Sequence, residues 1–204
     1  MNLNNWKIIF FTATALILLS LYSPILAENL SKPQEETYFT LAILGENGVA
    51  DDYFPDDLNN INTEVPMKWQ LYIYNHRGIS QLIKVKVKLS NSETIPPDLS
   101  TCTASSAGEI YEIRKVLQNN ETLIIPFNWE ISEISENDEL FTISRMRING
   151  DTRSINFNVL PDGIITMIFE LWVYDPYNKD FTFDWIDLGE TRCIWNQIQF
   201  RIGL

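Results

Sequence analysis

The chain has 204 residues, a formal charge of −12 at pH 7, 45% hydrophobic residues and 21% charged ones. That length holds one domain with a full core, and that composition is globular rather than disordered. A chain this acidic is repelled by phosphate backbones and by anionic lipid surfaces, so nucleic-acid binding and adhesion to an anionic membrane are disfavoured as functions.

Residues 1–27 read as a targeting segment and not as part of the fold. Lys7 is its one charge, and residues 8–27 are uncharged and mostly apolar. Two readings stand side by side: a signal peptide broken by Pro24 and cleaved after Ala27, or a retained transmembrane anchor just long enough to cross a hydrocarbon core of ~30 Å. Both place the remainder outside the cytoplasm, because Lys7 lies on the short N-terminal side. The polar stretch 28–37, with Pro33, reads as a linker, and residues 38–204 as one extracytoplasmic domain.

Within that domain the apolar residues recur every second position, the period of strands. Tyr38–Leu44 is the first strand. In 67–74, Met67, Trp69, Leu71 and Ile73 share one face, with Lys68, Gln70, Tyr72 and Tyr74 on the other. In 83–89, Ile83, Val85, Val87 and Leu89 oppose Lys84, Lys86 and Lys88. With Asn75-His76-Arg77-Gly78 between them, these two runs predict an antiparallel hairpin with one wet face. Residues 91–107 form a loop rich in Ser, Thr and Pro. Strands follow at 109–116 and 122–131, joined at Asn119-Asn120, and 132–138 reads as a turn or short helix. The runs 140–148 and 154–159 flank Asn149-Gly150-Asp151, a hairpin signal. Further strands are expected at 164–174, 181–186 and 194–202, the last with Ile194, Ile198, Phe200 and Ile202 inward. The pattern predicts an all-β protein, an immunoglobulin-like two-sheet sandwich preceded by one hydrophobic helix, with a barrel as the alternative.

From residue 41 onward the chain resembles the soluble part of a membrane-protein family found mainly in archaea, domain-of-unknown-function family 1616, most closely over 41–91 and more loosely at Thr122–Trp129 and Ile168–Tyr174. The resemblance rests on Leu44, Gly45, Gly48, Ala50, Asp51, Asp52, Tyr53, Pro55, Asn75, His76, Val85 and Val87. It implies an extracytoplasmic β-sandwich and no activity. The chain departs from the family pattern at Phe54, which interrupts Tyr-Pro, and at Arg77, where an acidic residue is usual. One hydrophobic segment replaces several membrane helices, and 132–163 look like additional material.

The inventory for chemistry is small. His76 is the single histidine, so a histidine base or ligand must be His76, and no G-x-S-x-G nucleophile accompanies it. Cys102 and Cys193 read as a disulfide in an exported chain, with two free thiols as the alternative. A weak Ca²⁺ candidate is the acidic loop with Asp51, Asp52 and Asp56, without EF-hand spacing; a hydrolase would have to draw on the same carboxylates. The Lys84-Lys86-Lys88 stripe reads as a solvated face that discourages edge pairing. Trp172, Tyr174, Tyr177, Trp185 and Trp195 serve either the core or an aromatic platform for a sugar. Asn29 and Asn120 head N-glycosylation sequons. No phosphate loop, dinucleotide fingerprint or metalloprotease motif occurs, and no cofactor is expected. The expected role is therefore a non-enzymatic envelope protein of structural or interaction type, tethered through its N-terminal segment if that is uncleaved, with an envelope protein or glycan as partner. A carbohydrate- or ligand-binding module using exposed aromatics is the alternative.

Overall fold

The computed structural model describes residues 10–14, 20, 22, 36–55, 60–61, 63–137 and 140–202. The chain forms two units, Met1–Glu36 and Thr37–Leu204. In the first unit residues 10–14 are helical, and among the described residues no helix is long and apolar enough to cross a membrane. Most of residues 1–37, Asn29 included, lies outside the described residues.

The second unit is a sandwich of two antiparallel-rich sheets. Its strands are β1 (Tyr38–Leu44), β2 (Asn60–Ile61), β3 (Met67–His76), β4 (Gln81–Ser90), β5 (Gly108–Leu117), β6 (Thr122–Asn137), β7 (Leu140–Ile148), β8 (Asp151–Val159), β9 (Ile164–Asp175), β10 (Asp180–Thr182), β11 (Asp184–Asp187) and β12 (Glu190–Ile202). The first sheet runs β1-β3-β6-β7-β8. The second runs β11-β12-β9-β4-β5, with β10 beside β9 and β2 beside β12. Apart from the two-residue excursion of β2 to the second sheet, the chain crosses between sheets at β3–β4, β5–β6 and β8–β9, the crossing pattern of immunoglobulin-like sandwiches.

The alternation seen in the sequence sets the faces. Met67, Trp69, Leu71 and Ile73 of β3 are buried against Ile83, Val85, Val87 and Leu89 of β4 and Phe169 and Leu171 of β9. Trp69 stands at the centre, edge-on to Trp129 at 5.0 Å and 6.3 Å from Phe169 across the sandwich. Phe127 meets Phe169 edge-on at 5.1 Å. Such contacts prefer tilted or T-shaped geometry because a ring's positive edge seeks a negative face. Pro126 lies on β6 beyond the last residue paired with β7, on a stretch with one open side, where a missing N–H is tolerated.

The Asn149-Gly150 turn joins β7 to β8 as the sequence predicts, with both residues at positive φ (48° and 89°) and Ile148 opposite Asp151. Three expectations are corrected. The runs 67–74 and 83–89 are not a hairpin: β3 pairs with β1 and β6, while β4 pairs with β5 and β9. Residues 132–137 are not a turn or helix but the continuation of β6, paired with β7 through a register shift at Glu133. The run 181–186 is two strands, because the chain leaves β9 at Phe183 to start the β11–β12 hairpin.

Candidate functional site

The β3–β4 corner is organised by Asn75. Its side chain is fully buried, and its amide nitrogen lies 2.9 Å from Ile79 O, 3.2 Å from Leu117 O and 3.0 Å from Gln118 O. Its Oδ1 accepts from Arg77 N at 3.0 Å. A buried carbonyl left unpaired is costly, so one asparagine satisfies the backbone of two crossing connections at once. His76 faces outward, with Nδ1 2.6 Å from Asn120 Oδ1 and its ring 4.9 Å from Tyr38. Asn120 occupies the β5–β6 turn at φ 60°. The single histidine thus clamps the neighbouring turn, and the sequon carboxamide is its partner.

Arg77 packs its guanidinium between Phe39 (5.9 Å) and Trp185 (5.5 Å). Burial pushes its pKa below the ordinary arginine value, and the charge of Asp187 opposes that shift. Trp185 therefore belongs to the core wall. Beside it opens a cleft of about 490 Å³, lined among others by Arg77, Ile79, Tyr174, Tyr177 and Ile186.

At the other end, Gly45 opens a turn in which Gly45 N donates to Val49 O and Gly48 N to Gly45 O. A Cβ on Gly45 would stand 2.1 Å from Asp51 O, so only glycine lets the two backbones meet. Gly48 has φ 74°. Tyr53 returns over this turn: its hydroxyl donates to Ile43 O at 3.0 Å and its carbonyl accepts from Trp69 Nε1 at 2.6 Å. Burial, then the charge of Asp51, raises the Tyr53 pKa. Asp51 and Asp52 are exposed, Asp51 accepting from Asp52 N; Pro55 ends the described stretch and Asp56 lies outside it. Among the described residues no group of three or more His, Cys, Asp or Glu side chains is placed to hold a metal ion.

Cys102 and Cys193 are bonded, with Cα atoms 5.5 Å apart. The bond ties the 91–107 loop to β12 across the outward face of the second sheet. Beneath the loop lies Glu170, fully buried and paired with Lys88 at 2.9 Å. Glu170 also accepts from Ser105 N at 2.7 Å and Trp172 Nε1 at 2.9 Å, and Lys88 donates to Ser105 O at 2.7 Å. Every charge in this cluster is met by a donor or acceptor, as a buried ion pair requires. The lysine stripe is therefore not a solvated face. Lys88 is under the loop, Lys86 Nζ sits 3.7 Å above the Trp172 ring, and Lys84 Nζ 4.5 Å from the Phe181 ring. The five aromatics singled out by sequence form no common platform. Trp172 lies under Lys86, half-buried Trp195 stands opposite Glu170 on β12, and Trp185 walls the core and borders the cleft with Tyr174 and the exposed Tyr177.

Sequence reasoning missed a second group. On the outward face of the first sheet, Thr40, Tyr74 and Thr122 are in one row and Ala42, Tyr72 and Ile124 in the next. Leu44, Gln70 and Pro126 form the third row, and Tyr38 with His76 closes the end. None of these is Asp, Glu, Lys or Arg. The face stops at the Lys68–Glu46 pair on one side and at Arg147–Glu130 further along β6. The signal was the tyrosines at outward positions of a strand already read as one-faced.

No protein-family model matches the chain, and no curated protein matches it. Among solved structures the chain is similar to the CARDB domain of a Pyrococcus furiosus protein, crystallised in complex with di-metal ions. The two are 12% identical with a TM-score of 0.37, over 84% of this chain and 97% of that one.

Proposed function

We propose that this chain is a non-catalytic β-sandwich module of the cell envelope, carried outside the cytoplasm and serving structure or interaction. The observation that carries the reading is that the single histidine and both cysteines are committed to the fold. His76 clamps Asn120, and Cys102 is bonded to Cys193. A disulfide persists in oxidising compartments, and the apolar run 8–27 supplies a route of export. The proposed kinship with the soluble domain of family 1616 fits this location. The motif positions Gly45, Tyr53 and Asn75 act in it as fold determinants.

The test is protease accessibility of the full chain in intact cells of its host, with thiol alkylation before and after reduction. The reading predicts digestion without lysis and alkylation of Cys102 and Cys193 only after reduction. Digestion that requires lysis, or free thiols in the native chain, overturns it.

A further inference from the structure

We infer that the uncharged outward face of β1, β3 and β6 is a docking surface for a neutral polysaccharide chain. This deepens, and rests on, the reading of the chain as an extracytoplasmic interaction module by naming its partner's chemistry. The chain carries 15 basic and 27 acidic residues, yet the three rows of this face hold none of them. An anionic polymer or lipid surface gains nothing from such a face and is repelled by the rest of the molecule. What the face offers is aromatic and aliphatic surface mixed with hydroxyl and amide groups: Tyr72 and Tyr74 beside Thr40, Thr122 and Gln70, with Ile124 53% and Tyr38 44% exposed. A neutral sugar chain has the same double character, with apolar ring faces between hydroxyls.

Size and shape select the occupant further. β1 spans seven residues, so at ~3.4 Å per residue and ~4.8 Å between strands the patch is about 20 Å by 14 Å, or roughly 300 Å². A stable partner protein, including a second copy of this chain, needs about 800 Å² per side. Small-molecule sites are concave, and this face is an open sheet surface. A narrow patch along three strands suits an extended polymer lying across it.

The experiment is retention of the full-length protein on cellulose and on chitin particles, with polygalacturonate beads as the anionic probe. Retention on at least one neutral polymer is expected, unchanged by added salt because no charge takes part, and absent on polygalacturonate. Tyr72→Ala with Ile124→Ser is expected to weaken it about tenfold, the scale of one lost stacking contact. Tyr72→Phe keeps the ring and is expected to keep binding, which separates ring loss from misfolding, and Tyr177→Ala in the cleft is expected to change nothing. No retention on either neutral polymer overturns the inference, as does retention indifferent to the Tyr72→Ala, Ile124→Ser pair. A dimer in sedimentation that Ile124→Glu dissociates assigns the face to a second copy instead. None of these outcomes depends on cellular address, so they fail or hold apart from the protease-accessibility test.

Discussion

On the second sheet the outward positions of β4 and β9 carry Lys88 and Glu170, both buried where Ser105 of the 91–107 loop closes over them. On the first sheet, between Lys68 and the Tyr38–His76 end, the outward positions of β1, β3 and β6 carry tyrosine, threonine, alanine and isoleucine, without charge and open to solvent in part. The difference reverses what strand patterning alone suggests. Charge at an outward position marks a face that folds a loop onto itself, and lack of charge marks the face left available. A lysine on a strand is solvated by default. Here a carboxylate on the neighbouring strand β9, an ordered backbone at Ser105 and a covalent tie give it a drier and fully partnered place.

The strongest way to break the contrast is to open the covered face. Replacing both cysteines by serine frees a 91-residue separation, and loop-closure entropy puts the loss of stability at about 4–5 kcal/mol. Urea unfolding of oxidised protein and variant measures it, and a loss below about 1 kcal/mol removes the loop's claim to be held by the bond. Glu170→Ala leaves Lys88 buried without a counter-charge and orphans Ser105 N, so a loss of about 3–4 kcal/mol is expected by the same measurement, with Glu170→Gln costing less. On the open face Ile124→Ser touches neither core nor network and is expected to move stability by no more than about 0.5 kcal/mol. A larger loss makes that face part of the core. The smallest effect sharpens the loop itself. Asp98 is held below the ordinary carboxylate range by the Ser100 hydroxyl first, then by the Ser100 N–H and the Thr101 hydroxyl. A depressed carboxylate stabilises above its unfolded pKa of about 3.9 and loses that stabilisation as pH falls through its lower folded value. The protection of the Ser100 amide, its exchange measured against the intrinsic rate at the same pH, is therefore expected to fall only below about pH 4. Loss of that protection between pH 5 and 7 contradicts the assignment.

The inner faces were legible because burial imposes a period of two, and Trp69, Val85 and Phe200 fall where that period puts them. The Asn149-Gly150 hairpin was legible because that dipeptide accepts two positive φ angles. Partner choice was not. The alternation of β3 and β4 says which side is dry but not which strand lies beside it, and Asn75-His76-Arg77-Gly78 looks like a hairpin turn. What sends β4 to the other sheet is the set of bonds from Asn75 to carbonyls about forty residues away, a tertiary fact. The sequence of 132–137 has no apolar rhythm, and it is extended because β7 pairs with it. Of the site residues, the disulfide was legible from two cysteines in a chain whose N-terminal segment reads as a targeting signal. The fate of the lysine stripe was not, since periodicity carries no information about a loop that folds back over it.

The contrast between the two faces is tested most directly by side-chain labelling of the oxidised full-length chain, with peptide-level mass spectrometry after lysine acylation and hydroxyl-radical oxidation. The account predicts that Lys88 stays unlabelled while Lys115, exposed on β5, reacts, that reduction releases Lys88, and that Tyr38 and Ile124 are oxidised from the start. Labelling of Lys88 at the rate of Lys115 with the disulfide intact, or protection of Tyr38 and Ile124, would contradict it.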